Sequence, residues 1–334
     1  MKNITVIGGG SWGTALAQVL SDNQHHVTVY DRNPEVVEDI NRNHQNSRFF
    51  EAHQLPVSLK AENQLQAAVE SADFILMAVP TKVMREALGQ LNRALSHSVT
   101  IINASKGIEP GTHKRVSEIV AEEISPQWLR AFVLLSGPSH AEEVINREVT
   151  TITTAGTDLQ QVLQVQGLFN TDYFRVYRTD DLLGAEVGGS IKNVIALAAG
   201  ILAGLGYGDN AKAALLTRGL VEIQRLGVAL GAEEATFVGL SGLGDLIVTC
   251  TSPHSRNWQA GFKIGSGSNL QEALDSMTMV VEGVRTCQAT YELACELNIE
   301  MPIVEAVYEV IFNKLEPHTA IRTLMNRQIR HEFY

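Results

Sequence analysis

A glycine-rich loop between a short apolar strand and a helix is the feature that most restricts the fold of this chain. Residues 4–7 run directly into Gly8, Gly10 and Gly13, which form the pattern G-x-G-x-x-G ahead of helical sequence. In such a loop Gly8 permits a tight turn, Gly10 lets the backbone approach a pyrophosphate, and Gly13 lets the helix pack on the strand. The free N–H groups at the helix start then face the phosphates. The pattern predicts a dinucleotide site in a β-α-β unit.

An acidic residue after the next strand supports this interpretation. The predicted strand 26–30 ends at Asp31, which follows Gly13 at roughly the 20-residue spacing where a carboxylate holds the adenosine ribose hydroxyls. Asp31 favours NAD because its charge repels a 2′-phosphate, whereas Arg32 directly after it could pair with that phosphate. Either residue could instead be a solvated loop charge. The sequence therefore permits NAD or NADP.

The remaining apolar segments predict the fold class. Near-continuous apolar strands that alternate with helices indicate a mostly parallel sheet covered by helices on both faces. The predicted strands are 72–79, 99–103, 131–135, 149–153 and 173–177, with helices at 82–95 and 112–124. After about residue 180 the strand pattern stops, and the predicted helices are 182–205, 210–230, 284–298, 303–313 and 318–329, with irregular stretches at 239–258 and 264–269. We therefore expect an α/β Rossmann-like domain over 1–180 and an all-α domain over 181–334.

Composition limits the possible partners. The net charge is −11 and there is no run of Lys or Arg, which argues against nucleic acid and anionic membrane as partners. Cys250, Cys287 and Cys295 form no metal-ligand pattern, so we expect free thiols in a reducing compartment and no metal. The first strand begins at the start of the chain, without room for a signal peptide. The apolar run 194–205 is too short for a membrane span. We expect a cytoplasmic protein.

One lysine stands in an unusually apolar stretch. Lys192 and Asn193 precede eleven residues of Val, Ile, Leu, Ala and Gly, and we place them at the head of an apolar helix. Desolvation lowers the pKa of a lysine towards the working range, so Lys192 is the preferred group for the proton that accompanies hydride transfer. The alternatives are a lysine that snorkels to solvent and, for Asn193, a helix cap or an orienting group. Lys106 and His254 are further candidates.

Other polar groups lie in turns. Asp245 follows two glycines and could pair with Lys192 or bind a substrate hydroxyl, or it could cap a helix at 246–250. The run 255–257, Ser-Arg-Asn, suits a phosphate, unless it is an exposed turn. His140, a lone histidine in a turn, is more often a structural hydrogen bonder.

Ten short motifs together cover nearly the whole chain in order. They are 8–14, 104–107, 136–139, 188–193, 210–213, 217–219, 242–245, 249–251, 255–257 and 281–283. With these motifs the sequence closely resembles the bacterial NAD(P)-dependent sn-glycerol-3-phosphate dehydrogenases.

The resemblance implies reversible reduction of dihydroxyacetone phosphate to sn-glycerol 3-phosphate for phospholipid synthesis, by a homodimer with Lys192 as the catalytic acid/base. The implied substrate contacts are Lys106, Gly137, Ser139, Lys192, Asp245, Ser255, Arg256 and Asn257. The implied cofactor contacts are Ser11, Trp12, Arg32, Lys106, Ala141, Arg256, Val280 and Glu282, to which the glycine loop adds Gly8, Gly10, Gly13 and Asp31.

Two other functions are compatible with the same domain order. One is another β-hydroxyacid or ketopantoate-type dehydrogenase, which would prefer a carboxylate to a phosphate ester. The other is a catalytically silent NAD(P)-sensing protein. Lys192, Asp245 and Arg256 argue against a sensor, because a sensor needs no acid/base.

Overall fold

A single eight-stranded sheet forms the first half of the molecule. The computed structural model describes residues 1–277, 280–329 and 331–332. The strands are β1 (Asn3–Ile7), β2 (His26–Tyr30), β3 (Lys60–Glu62), β4 (Phe74–Met77), β5 (Val99–Asn103), β6 (Leu129–Ser136), β7 (Thr150–Gly156) and β8 (Phe174–Thr179). Their order is β3-β2-β1-β4-β5-β6-β7-β8, and each neighbouring pair is parallel except β6 and β7. The predicted mostly parallel sheet is confirmed.

Helices cover the sheet as the alternating pattern predicted. They are α1 (Ser11–Asp22), α2 (Pro34–Asn43), α3 (Leu65–Val69), α4 (Thr81–Ala94), α5 (Val116–Glu123), α6 (Ala141–Ile145) and α7 (Leu159–Phe169). Apolar side chains pack in two clusters, one around Leu16 and Phe174 and another around Met84 and Ile101. The sequence prediction missed β3 because this edge strand has only three residues and carries Lys60 and Glu62 at its ends.

The second half of the molecule is helical. Its helices are α8 (Leu182–Gly204), α9 (Asp209–Ala229), α10 (Asp245–Thr251), α11 (Arg256–Gly265), α12 (Leu270–Asp275), α13 (Glu282–Glu296), α14 (Pro302–Phe312) and α15 (Pro317–Met325). A 3₁₀ turn at Glu234–Val238 and a π-helical turn at Leu240–Gly244 precede α10. The expected irregular stretch 239–258 was therefore wrong, because packing overrides the poor helix propensity of its glycines and serines.

The second half is organised around α8, whose residues from Gly184 to Ile201 are buried. This 23-residue helix is long and apolar enough to cross a membrane by length and composition, but 83% of its most apolar window is buried within the fold. The length argument against a membrane span was wrong, since the helix extends well before residue 194. Lys192 and Asn193 lie near the middle of α8 and not at its head.

Glycines allow α8 and α11 to lie in direct backbone contact. A Cβ atom on Gly200 would lie 2.0 Å from the Trp258 carbonyl oxygen, and one on Gly261 would lie 2.1 Å from the Leu197 carbonyl oxygen. Side chains larger than hydrogen therefore cannot fit between the two helices without moving them. This close approach holds the start of α11 near the middle of α8.

The two halves meet where the sheet ends. Strand β8 ends at Thr179 and α8 begins at Leu182. The loops at the carboxyl ends of β1, β4, β5 and β6 face α8, α10 and α11, as expected for the ligand crevice of an open α/β sheet. The division into domains 1–180 and 181–334 stays a prediction.

Candidate functional site

A cleft of about 510 Å³ runs between the carboxyl edge of the sheet and the helical half. The predicted site residues that line it are Gly8, Gly10, Ser11, Trp12, Asp31, Arg32, Lys106, Ser139, Ala141, Lys192, Asp245, Ser255, Arg256, Asn257, Val280 and Glu282. Gly13 and Gly137 are not among the lining residues of the described chain. The fold thus brings together groups that are up to 274 residues apart in sequence (282 minus 8).

At one end of the cleft, backbone groups form an anion cradle. Gly8 has a φ of +110°, which turns the chain from β1 into α1. The N-cap of α1 is Gly10, no side chain caps this helix, and its first turn carries no acidic residue. A Cβ on Gly10 would meet nothing within 4 Å, whereas one on Gly13 would lie 2.0 Å from the Gly8 carbonyl oxygen. Gly10 therefore leaves space for a pyrophosphate and Gly13 serves packing, so these residues fit a dinucleotide.

Asp31 supports this cradle from the end of β2. Its Oδ2 atom accepts a hydrogen bond from the Gly9 N–H (2.8 Å), and its Oδ1 atom accepts one from the Asn33 N–H (2.8 Å). The neighbouring Arg32 side chain is 67% exposed, and its Nη1 atom lies 3.6 Å from Glu86 Oε1. Asp31 thus anchors the glycine loop, while Arg32 lies exposed at the cleft rim, where a ligand can reach it.

At the other end of the cleft, Lys192 is buried inside the helical half. Its Nζ atom donates to Asp245 Oδ1 and to Thr249 Oγ1 (2.6 Å). Desolvation lowers the pKa of Lys192 to about 8, although Asp245 opposes the shift and Lys106 adds to it. The snorkelling alternative is therefore wrong, because the ammonium is held by buried partners.

Asp245 lies between two ammonium groups. Its carboxylate is fully buried, and its Oδ2 atom accepts a hydrogen bond from Lys106 Nζ at 2.6 Å. Lys106 also donates to the Gly137 carbonyl (2.9 Å), which accepts a further bond from Ser139 Oγ (3.0 Å). Gly137 therefore does not line the cleft; its carbonyl oxygen holds the side chains of Lys106 and Ser139, which do. One carboxylate serving two cations leaves a local excess of positive charge.

The run 255–257 begins α11 and is not an exposed turn. Ser255 is the N-cap, and its Oγ atom accepts from the Trp258 N–H at 3.2 Å. Asn257 donates to Asn193 Oδ1 (2.9 Å) and accepts from the Gly283 N–H (2.9 Å). Asn193 is thus an interior orienting group and not a helix cap.

Arg256, the first residue of α11, is half-buried. Desolvation lowers the pKa of its guanidinium, and the nearby Glu282 and Glu142 charges oppose that shift. Within residues 1–277, 280–329 and 331–332, no carboxylate forms an ion pair with Arg256. A desolvated guanidinium without a protein anion is suited to an anionic ligand.

The rim of the cleft carries the remaining predicted residues. Val280 is 40% exposed, and Ala141 is the buried first residue of α6. Glu282 begins α13, and its carboxylate accepts hydrogen bonds from the N–H and the Oγ atom of Thr81. His140 donates to the Val248 carbonyl (3.3 Å), the structural hydrogen bond expected for it. His254 is exposed and lines the cleft without contacting Lys192.

Two residues at the site were missed by the sequence prediction. Thr249 binds Lys192 and lies one helical turn after Asp245. A helix at 246–250 was considered only as an alternative in which Asp245 is a cap, so this helical spacing was not used to identify Thr249. Thr81 holds Glu282 from the other half of the molecule, and no local pattern indicates that contact.

A Rossmann-like fold, a phosphate cradle and a buried titratable amine at one cleft define a nicotinamide-nucleotide-dependent dehydrogenase. Comparisons with known proteins identify the family. The N-terminal model of NAD-dependent glycerol-3-phosphate dehydrogenase matches residues 3–162, and the C-terminal model matches residues 181–322. The chain belongs to this family, and it is an NAD(P)-dependent oxidoreductase.

Individual relatives extend over almost the whole chain. Glycerol-3-phosphate dehydrogenase [NAD(P)+] from Geobacillus kaustophilus is 54% identical over 99% of this chain and 96% of that protein. The crystal structure of the Coxiella burnetii glycerol-3-phosphate dehydrogenase is 34% identical, has a TM-score of 0.92, and covers 98% of this chain and 99% of that one. A ketopantoate reductase from Ralstonia eutropha shares the fold alone, with 16% identity, a TM-score of 0.61, and coverage of 97% and 100%.

Proposed function

We propose that this chain catalyses the reversible, NAD(P)-dependent reduction of dihydroxyacetone phosphate to sn-glycerol 3-phosphate. The observation that carries the proposal is a pair of ammonium groups, the buried Lys192 and the half-buried Lys106, both held on Asp245 in the cleft that Arg256 also lines. Lys192 can move a proton, and Arg256 together with Lys106 can bind a phosphate. Glycerol-3-phosphate dehydrogenation, the activity of the relatives, requires both functions.

Proton transfer is assigned to Lys192. Bound NAD(P)H supplies the hydride that reaches the ketone carbon. The Lys192 ammonium donates a proton to the ketone oxygen, and in the reverse direction the neutral amine accepts the proton of the alcohol. Asp245 and Thr249 fix the amine in place, while burial and the Lys106 charge keep its pKa near 8, close to the working range.

Phosphate binding is assigned to Arg256, Ser255, Asn257 and Lys106. Arg256 opens the ten-residue helix α11, so its guanidinium and the positive end of the helix dipole attract the same anion. Lys106 adds a second cation in the same cleft. Because the whole chain carries a net charge of −11, attraction of an anionic substrate must come from this local cluster.

Cofactor binding is assigned to the glycine loop, Trp12, Arg32, Ala141, Val280 and Glu282. Gly10 and the uncapped start of α1 would hold the pyrophosphate. Asp31 has two backbone N–H partners and still faces the cleft beside Arg32. This arrangement is compatible with NAD and with NADP.

The cellular setting follows from the resemblance. We propose a cytoplasmic homodimer whose product enters glycerophospholipid synthesis. The three free cysteines support a reducing compartment. Sedimentation should give twice the chain mass of 36.4 kDa, and a mass of one chain would refute the dimer.

The substrate assignment is tested by initial rates. Purified protein should reduce dihydroxyacetone phosphate but not dihydroxyacetone, because the Arg256 cluster binds the phosphate. NADH and NADPH should be compared in the same assay. Equal rates with the phosphate-free ketone would remove the phosphate site from the proposal. Preference for a keto acid would favour a ketopantoate-type enzyme, and absence of turnover with every keto substrate would favour a sensor.

A further inference from the structure

Thr81 and Glu282 join the two halves of the molecule across the cleft. Thr81 is the first residue of α4 and is 6% exposed, while Glu282 is the first residue of α13. The Thr81 N–H donates to Glu282 Oε1 at 2.9 Å, and the Thr81 hydroxyl donates to Glu282 Oε2. Both carboxylate oxygens are therefore engaged by one threonine. Pro80, the N-cap of α4, offers no side-chain cap, so Glu282 fulfils that role from another domain.

Glu282 also lies in the field of the anion-binding arginine. Each of Glu282 and Arg256 shifts the pKa of the other towards the charged form, yet they form no ion pair. Both are half-buried and both line the cleft. A partly desolvated carboxylate that loses a hydrogen-bond donor is stabilised by moving onto a neighbouring guanidinium. The two hydrogen bonds from Thr81 stabilise the Glu282 carboxylate where it is and so reduce the free energy that pairing with Arg256 would gain.

We propose that Thr81 is a positioning residue that retains the Glu282 carboxylate and so leaves Arg256 free for the substrate phosphate. The inference rests on the proposed function, since Arg256 is taken as the phosphate-binding group. Without the Thr81 hydroxyl, Glu282 keeps only the backbone N–H of residue 81, and its released oxygen turns to Arg256 and competes with the substrate anion. The expected defect is therefore weaker phosphate binding, not slower proton transfer at Lys192.

The variant Thr81→Val tests this directly, because valine matches threonine in shape but has no hydroxyl. It should raise the KM for dihydroxyacetone phosphate roughly tenfold, the size expected when one charge-assisted contact is lost, with little change in kcat. The dissociation constant of inorganic phosphate, measured by calorimetry without cofactor, should rise in parallel. Thr81→Ser retains the hydroxyl and should restore the normal KM.

A second substitution separates positioning from a structural effect. In Thr81→Val/Glu282→Gln the side chain at 282 carries no charge, so it cannot neutralise Arg256. The dissociation constant of inorganic phosphate, measured without cofactor because Glu282 is also assigned to the cofactor site, should return most of the way to the wild-type value. Failure of this rescue would overturn the inference, as would an unchanged KM in Thr81→Val. Arg285, the other cation near Glu282, would take up the released carboxylate in the latter case.

Two controls complete the design. Thermal unfolding checks that each variant is folded, and Thr81→Ala with Thr81→Ala/Glu282→Gln replaces the valine pair if valine does not fold. The wild-type enzyme is assayed with and without the phosphate group on its substrate. No preference for the phosphate ester in the wild type would overturn the proposed function and this inference together, whereas an intact preference with no Thr81 effect overturns only the inference.

Discussion

The two ends of the cleft are built from different kinds of groups. The nucleotide end is made by backbone: the glycine loop, the uncapped start of α1 and a carboxylate, Asp31, that holds the loop. The substrate end is made by charged side chains, the buried Lys192 and Asp245 and the half-buried Arg256. A site built from backbone groups binds its ligand through shape and the helix dipole, whereas charged side chains can also gain or lose a proton. The chemistry therefore belongs to the side-chain end, and the two ends should respond separately to mutation.

The largest expected effect comes from removing the titratable amine. Lys192→Ala should lower kcat by about 10²–10⁴-fold, the usual worth of general acid–base catalysis, while cofactor affinity stays within about threefold. Asp245 keeps Lys106 as a partner, so the protein should remain folded, which circular dichroism checks. Near-normal turnover would exclude Lys192 from the mechanism, and a parallel loss of NADH binding would show that the two ends are coupled.

The pH dependence of kcat/KM should also distinguish the side-chain end of the cleft from the nucleotide end. Burial lowers the pKa of Lys192 to about 8. The donor form is the ammonium, so kcat/KM for ketone reduction should be level below pH 8 and fall about tenfold per unit above it. In alcohol oxidation the neutral amine is needed, so the rate should rise up to about pH 8 and then level.

The control for this titration is the nucleotide end. The Kd of NADH, followed by fluorescence, should not change between pH 7 and 9, because backbone groups do not titrate. Identical pH profiles in both reaction directions would contradict the role of Lys192 as proton donor and acceptor.

A smaller effect is expected from glycine substitutions at the nucleotide end. Gly10→Ala adds a methyl group in open space, so stability should be unchanged, but the methyl occupies the phosphate cradle. Cofactor Kd should rise about tenfold, as for the loss of one charge-assisted hydrogen bond. Gly13→Ala is the matched variant: its Cβ would lie 2.0 Å from the Gly8 carbonyl, so unfolding free energy should fall by about 1–3 kcal/mol.

Calorimetry and thermal unfolding distinguish the two glycines. Equal loss of stability in both variants would mean that Gly10 also serves packing. In both variants, the pH profile of any remaining activity should still follow Lys192.

The nucleotide end was predictable from sequence because its parts are contiguous. The strand, the loop 8–13 and the helix lie within about twenty residues, and each glycine has a local geometric reason. Asp31 was located correctly at the end of β2, but its two backbone partners, Gly9 and Asn33, follow from the fold. The local sequence pattern predicted where Asp31 lies, and only the tertiary structure showed which groups it contacts.

The substrate end was only partly predictable. The apolar context of Lys192 correctly indicated burial, and the predicted helix 182–205 agrees with α8. Lys192 was nevertheless wrongly placed at the head of that helix, whereas it lies near the middle. The glycines and serines of 239–258 favoured irregular structure over a helix at 246–250, which was only an alternative for Asp245, and Thr249 was therefore missed. Helix propensity is weak compared with the energy of burying a helix against α8.

The sequence by itself determined seven of the eight strands, the change from sheet to helices near residue 180, the nucleotide loop and, through ten motifs, the enzyme family. Only the tertiary structure decided that one carboxylate, Asp245, serves two lysines, that Arg256 has no protein anion within the described residues, and that Thr81 holds Glu282. The physical reason is separation in sequence. A pattern records what neighbouring residues prefer, whereas the pairing of buried charges depends on distances that exist only after both halves have packed.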